Sequence, residues 1–297
     1  MTPSLAERAR RFQLTATRPV RDLLSGLYVS AFKGTGIEFD EVRAYVPGDD
    51  VRTIDWRVTA RMKEPFVRRY VEERQLTLWL MIDCSASLSM GGDDENKALL
   101  AMEIATLLTF TAAYNHDRVG LILFTDRIEH IEPPRQGTRH AQRLLATLAD
   151  FEPKGTQTDI AAVMEQLRGY FKKNQIVFLL SDFQSPDFGR SLRRTAFAQS
   201  LHPVCIRHHL EVELPPVGLL KMRDAESGQM LLRDTLSKTN RKRFSESAAQ
   251  KHRSLLNQFA ASGLDCLEVT TRDDTVEALA LYLKLLERKG GNRRAQA

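Results

Sequence analysis

The sequence predicts an α/β protein built on a doubly wound, mostly parallel sheet, and three observations carry that expectation. Apolar runs of strand length, Thr77–Asp83, Arg118–Thr125 and Gln175–Asp182, alternate with segments of helical periodicity. These runs are continuously apolar, as strands covered on both faces are, rather than alternating in and out. Polar residues able to do chemistry follow directly after the apolar runs, where an open parallel sheet binds its ligands.

Residues 1–75 precede the first of these strands and form a candidate N-terminal subdomain. In "RPVRDLLSGL" the spacing of Val20, Leu23, Leu24 and Leu27 predicts one apolar helix face, ahead of a charged, turn-rich stretch. Residues 76–210 hold the main alternation. The strand Thr77–Asp83 leads to a helix in "DDENKALLAMEIATLLTFTAAYN", whose Asp93, Asp94 and Glu95 suit a helix N-terminus. "RVGLILFT" and "RIEHIEP" read as a hairpin. Helices at Thr138–Ala149 and Asp159–Phe171, the strand Gln175–Asp182, a helix at Gly189–Ser200 and the strand "HPVCIRH" follow. In residues 211–236, Pro215-Pro216 and two short apolar runs around "AESGQ" predict an inserted hairpin. Residues 237–288 return to the α/β core through a long helix at about 239–261, the strand "LDCLEVT" and the helix "DDTVEALALYLKLLERK". Residues 289–297 are expected to be a disordered basic tail.

Composition narrows the function classes. The net charge of +5 is mild, and the basic runs "NRKR" and "RKGGNRR" lack the interleaved aromatics that single-strand binding uses, which ranks nucleic acid last among partners. Cys84, Cys205 and Cys266 are widely separated and without CxxC spacing, which fits reduced thiols rather than a disulfide frame or zinc site. His208-His209 reads as a surface pair, since neighbours on an extended chain point different ways. No apolar run approaches the roughly 18 residues of a membrane span, and Arg10-Arg11 has no apolar stretch behind it, so no transmembrane segment or export signal is expected and the predicted location is cytoplasmic.

The chemistry gathers after the strands. Asp83, Ser85 and Ser87 follow the first; Thr156, Thr158 and Asp159 lie in a loop entering a helix; Asp182 ends a third strand. Carboxylate and hydroxyl oxygens together suit a hard cation, Mg²⁺ before Mn²⁺ or Ca²⁺. Neutral hydroxyls would leave such an ion under-neutralised, seeking a carboxylate from outside. The alternative is that Ser85 and Ser87 cap a helix and Asp182 starts a turn.

This arrangement resembles the von Willebrand factor type A domain, itself Rossmann-like, and its metal-ion-dependent adhesion site: DxSxS, a distant Thr, then a distant Asp. The matching residues are Asp83, Ser85, Ser87, Thr158 and Asp182, with Thr158 preferred to Thr156 because it stands at the entrance to the helix. "GIEFDEVRAYVPGDDVRTIDWRVTARM", residues 36–62, further resembles the signature of the bacterial domain-of-unknown-function family 58, and the likeness runs over roughly residues 20–288 through "ELPPVGLLKMRDAESGQMLLRDT". That resemblance implies a binding module rather than an enzyme, working chaperone-like beside a MoxR-type AAA+ ATPase and a client protein, with an acidic side chain as the outside ligand. Many relatives carry N-terminal membrane helices; no such helix is expected here.

In the signature, Arg43, Arg52, Arg57 and Arg61 interleave with Glu41, Asp49, Asp50 and Asp55. Such a lattice satisfies itself as a brace, with Trp56 anchoring it on the main domain; the functional alternative is a partner-docking surface of Arg43, Asp49, Asp50, Arg52, Trp56 and Arg57. The competing activity is a Mg²⁺-dependent phosphatase or hydrolase with Asp83 at the metal. A haloacid-dehalogenase-like phosphatase would want a second carboxylate two residues after its nucleophile, where this chain has Ser85. No P-loop or G-x-S-x-G elbow is present, and Cys84 is expected to point away from Asp83 and Ser85 into the core.

Overall fold

The structure, a computed structural model, describes residues 18–33, 39–62, 64–70, 75–88, 96–223 and 230–295. The predicted doubly wound sheet is present. Its strands are β3 (Thr77–Asp83), β4 (Arg118–Phe124), β5 (Ile128–Arg135), β6 (Ile176–Ser181), β7 (Ser200–Arg207) and β10 (Leu267–Thr270), in spatial order β10-β7-β6-β3-β4-β5. All neighbours run parallel except β5, which turns back antiparallel on β4 and forms one edge. Strand order reverses between β3 and β6, so the crevice at their carboxyl ends is the switch point of the sheet.

The continuous apolar runs are explained by burial on both faces. Leu78, Leu80 and Ile82 of β3 join one core with Leu100, Ile104 and Leu108 of α3 (Lys97–Tyr114) and Leu279 and Leu283 of α9 (Thr275–Ala295). Trp79 and Met81 face the other core, with Ile160 and Val163 of α5 (Ile160–Gln166), Leu192 of α6 (Gly189–Ala198) and Phe259 of α8 (Lys238–Ala261). Trp79 lies so close over β4 that a Cβ on Gly120 would stand 2.6 Å from its ring, and its indole N–H donates to Gln175 Oε1 at 3.0 Å. α4 (Thr138–Ala149) packs Leu144 and Leu145 beside α3.

Several boundaries differ from the sequence reading. α1 (Arg18–Tyr28) is built into the main core through Leu24 and Tyr28 rather than belonging with the signature, and Leu23, expected on its apolar face, is 46% exposed. α3 begins at Lys97, with Asn96 as its cap accepting from the Leu99 N–H; Asp93, Asp94 and Glu95 lie outside the described residues. By length and composition α3 could cross a membrane, against expectation, but it is mostly buried inside the α/β core. α5 ends at Gln166, short of Phe171, and α9 runs to Ala295, so the tail expected to be disordered continues a helix. The β8–β9 hairpin (Leu219–Arg223 and Met230–Asp234) is present as predicted, its tip outside the described residues.

The signature folds as a small unit of its own: β1 (Phe39–Ala44) pairs antiparallel with β2 (Phe66–Tyr70), with a 3-10 turn at Val51–Thr53 and α2 (Trp56–Met62) between them.

Candidate functional site

The switch point gathers buried oxygens. β3 delivers Asp83 at its last position, fully buried, and the turn after it folds Ser85 and Ser87 back so that their hydroxyls lie 3.1 Å apart. The Ser85 N–H donates to Asp83 Oδ1 at 2.9 Å, which locks the carboxylate to the turn. Thr158 Oγ1 stands 3.2 Å from Asp83 Oδ2, and Ser181 Oγ donates to that oxygen at 2.7 Å. Three ties hold the loop carrying Thr158: the Ala86 N–H to Thr156 O, the Asp159 N–H to Thr125 O, and the Gly155 N–H to Glu129 Oε1. A side chain at Gly155 would meet Thr125 Oγ1 at 2.2 Å, so only glycine lets the loop approach β4. Asp159 caps α5, its carboxylate accepting from the Ala162 N–H.

Asp182 enters from β6. The next residue, Phe183, has φ +57°, a strained value for a bulky side chain; Phe188 and Phe259 hold its ring in place and Ser181 Oγ accepts from its N–H. Asp182 is paired with a lysine. Its Oδ2 accepts from Lys97 Nζ at 2.6 Å, and Lys97 also donates to Glu211 Oε1 at 2.8 Å. Burial alone would lower the Lys97 pKa, but these carboxylates outweigh it and hold the ammonium charged. Asp83 is instead pushed toward its neutral form: burial first, then the negative charge of Asp182, raise its carboxyl from 3.8 to about 6, against the pull of Ser181 and Ser85.

Asp83, Ser85, Ser87 and Thr158 are therefore assembled, Thr156 is exposed and offers only its carbonyl, and Asp182 is near but committed to Lys97. As a donor set the first four fit a hard cation: all are oxygen, all are buried, and the sole carboxylate among them is disfavoured in its ionised form by its surroundings. Among the described residues no group of three or more His, Cys, Asp or Glu side chains is placed to hold a metal. Cys84 is half-buried against the core, where burial and the neighbouring Asp83 push its thiol up to about 12 and disfavour the thiolate.

Sequence reasoning missed Lys97, Ser181 and Glu211. "LLSD" placed Ser181 beside Asp182 and could have flagged it; nothing local marks Lys97 or Glu211, which meet from 114 residues apart. His208 is buried, not a surface residue: with Glu211 it forms a capping box at α7 (His209–Val212), its Nδ1 accepting from the Leu210 N–H.

In the signature, Arg43 pairs with Asp49 at 2.6 Å and Asp49 also accepts from the Val46 N–H. Asp50 accepts from the Arg52 N–H, and buried Asp55 caps α2 through the Arg57 and Val58 N–H groups. Glu41's side chain lies outside the described residues. Trp56 is not buried against the main domain among the described residues: it is 71% exposed, with Val46, Val51 and Met62 also exposed.

The sequence family described as "Protein of unknown function DUF58" matches residues 41–254. "Uncharacterized protein Rv1480" of Mycobacterium tuberculosis is 32% identical over 284 residues, 95% of this chain and 89% of that protein. "Uncharacterized protein MAV169" of Mycobacterium avium is 26% identical over 155 residues, 51% of this chain and 91% of that protein. Among solved structures, the "conserved hypothetical protein BatB from Bacteroides thetaiotaomicron" is similar with a TM-score of 0.45 at 12% identity, over 72% of this chain and 99% of that one. Proximal thread matrix protein 1 from the mussel byssus, "with zinc occupied MIDAS motif", is similar with a TM-score of 0.40 at 13% identity, over 72% of this chain and 47% of that one.

Proposed function

The chain belongs to the family of proteins of unknown function DUF58, and on that premise we propose that it is a metal-dependent protein-interaction module rather than an enzyme. The observation that carries this reading is the ratio of donors at the switch point: three buried hydroxyls, Ser85, Ser87 and Thr158, around one carboxylate, Asp83. Bound there, Mg²⁺ (or Mn²⁺ or Ca²⁺) would supply a Lewis-acidic position able to accept an acidic side chain of a partner. The chain's own groups orient the donors: Ser181 fixes one Asp83 oxygen, the Ser85 N–H the other, and the tethered loop presents Thr158.

The phosphatase reading has less support. Asp83 is fully buried with both oxygens engaged, and the second residue after it is a serine where acid–base catalysis would want a carboxylate.

A second contact comes from the signature. Its Arg43–Asp49 pair and its two aspartate caps stiffen the turn, and the turn presents Trp56 flanked by Arg52 and Arg57, residue types that dominate binding hot spots. The partner we propose, from the family resemblance, is a MoxR-type AAA+ ATPase acting with a client in assembly or activation of protein complexes.

The test is affinity capture from cell extract with Mg²⁺ or with EDTA, comparing wild type with the Ser85→Ala/Ser87→Ala double variant. An ATPase retained by wild type with Mg²⁺, and lost with EDTA or in the double variant, is the expected result. Retention in all three conditions would sink the metal-dependent reading, and Mg²⁺-dependent phosphoester hydrolysis abolished by Asp83→Asn would replace it with the enzyme.

A further inference from the structure

Lys97 has a position that helix-forming residues rarely take. It opens α3, where a lysine would normally snorkel to water, yet it is 0% exposed and its ammonium is drawn into the crevice between Asp182 and Glu211. Burying an ammonium is strongly unfavourable unless it is paired and hydrogen-bonded, and two carboxylates meet that demand here. One of them, Asp182, is the residue that the adhesion-site pattern assigns to the metal.

We propose that Lys97 is a tethered cation that competes with the divalent ion for Asp182 and thereby sets the metal affinity of this centre. The inference rests on the metal-site reading above and adds to it a built-in competitor. A metal drawing on Asp182 must pull it from the ammonium, which Glu211 then retains. Glu211 is fitted for that part because its other oxygen is held by the His208 N–H at 3.0 Å, in the capping box. Gln184, whose amide lies 3.3 Å from Asp182 Oδ2 and 3.4 Å from Glu211 Oε1, can follow either carboxylate.

The two partners of Lys97 give variants of opposite sign. Lys97→Met removes the competing charge and should tighten Mn²⁺ binding by roughly tenfold or more. Glu211→Gln removes the alternative partner, leaves the ammonium to Asp182 alone, and should weaken Mn²⁺ binding several-fold. A lysine with only a structural role would not produce opposite shifts; both variants would lower affinity together or leave it alone.

The experiment is Mn²⁺ titration of the full chain, read by the electron paramagnetic resonance of free Mn²⁺, on wild type and both variants, with Ser85→Ala/Ser87→Ala as the control for the site. Tighter binding by Lys97→Met, including the case where wild type binds too weakly to measure and the variant binds, supports the proposal. Wild-type binding that is unchanged or weaker in folded Lys97→Met overturns the competitor while leaving the metal site standing. If Lys97→Met does not fold, Glu211→Gln decides: binding as tight as wild type or tighter overturns the proposal. Mn²⁺ bound by none of the proteins would overturn the metal site and the competitor together.

Discussion

The switch point and the signature invert the usual burial rule in opposite directions. At the carboxyl ends of β3 and β6 the chain buries Asp83, Ser85, Ser87, Lys97, Thr158 and Asp182, whereas around α2 it exposes Trp56, Val46, Val51 and Met62. Polar groups inside must be paired, and apolar groups outside carry no such penalty, so the two regions store information differently. The first is a network in which each change propagates to its partners. The second is a surface on which side chains can be exchanged with little effect on the fold.

That contrast can be broken or sharpened by mutation. The largest expected effect on stability is Lys97→Ala, which strands Asp182 and Glu211 and should lower unfolding free energy by about 3–5 kcal/mol in urea titration. A loss under 1 kcal/mol would mean that the ammonium is not integrated as described.

The pH dependence of Asp83 comes next. Its folded pKa, about 6, exceeds the ordinary 3.8, so the folded state holds a proton that the unfolded state has released, and stability falls as pH rises between those values. In metal-free protein the Asp83 contribution should decline by about 2 kcal/mol from pH 4 to pH 8. Asp83→Asn should remove that decline, and urea titrations of both proteins across this range would show it; parallel curves would refute the assignment.

A smaller effect is expected of Ser85→Ala/Ser87→Ala, at about 1–2 kcal/mol without metal, with loss of any Mg²⁺-induced rise in Tm. Smallest is Trp56→Ala, which should change stability by no more than about 0.5 kcal/mol while lowering partner capture at least roughly tenfold. Loss of folding in this variant would move Trp56 from surface to scaffold and erase the contrast.

The same contrast explains what could be read in the sequence. Thr77–Asp83 and Gln175–Asp182 announced buried parallel strands because burial on both faces leaves an unbroken apolar run, and DxSxS was visible because its residues share one turn. Thr158 could be placed from the helix that follows it. Lys97 and Glu211 were hidden because their meaning lies in a contact across 114 residues, and local pattern assigns a lysine in a first helical turn to water. The exposure of Trp56 is hidden for a related reason: burial of a tryptophan is decided by what packs against it, and the signature folds as a unit of its own. Likewise His208 reads as a surface residue in the sequence because a capping box requires a bend that sequence neighbours alone do not reveal.

The antiparallel edge strand β5 has a consequence for behaviour at high concentration. Its sequence, "IEHIEPPR", sets Pro133 and Pro134 and four charged or titratable side chains along the open side of the sheet. Proline offers no N–H to an incoming strand, and the opposite edge, β10, is only four residues long. Neither border of the main sheet is a good template for edge-to-edge aggregation, which lets the molecule carry exposed apolar side chains on its signature without those borders seeding fibrils.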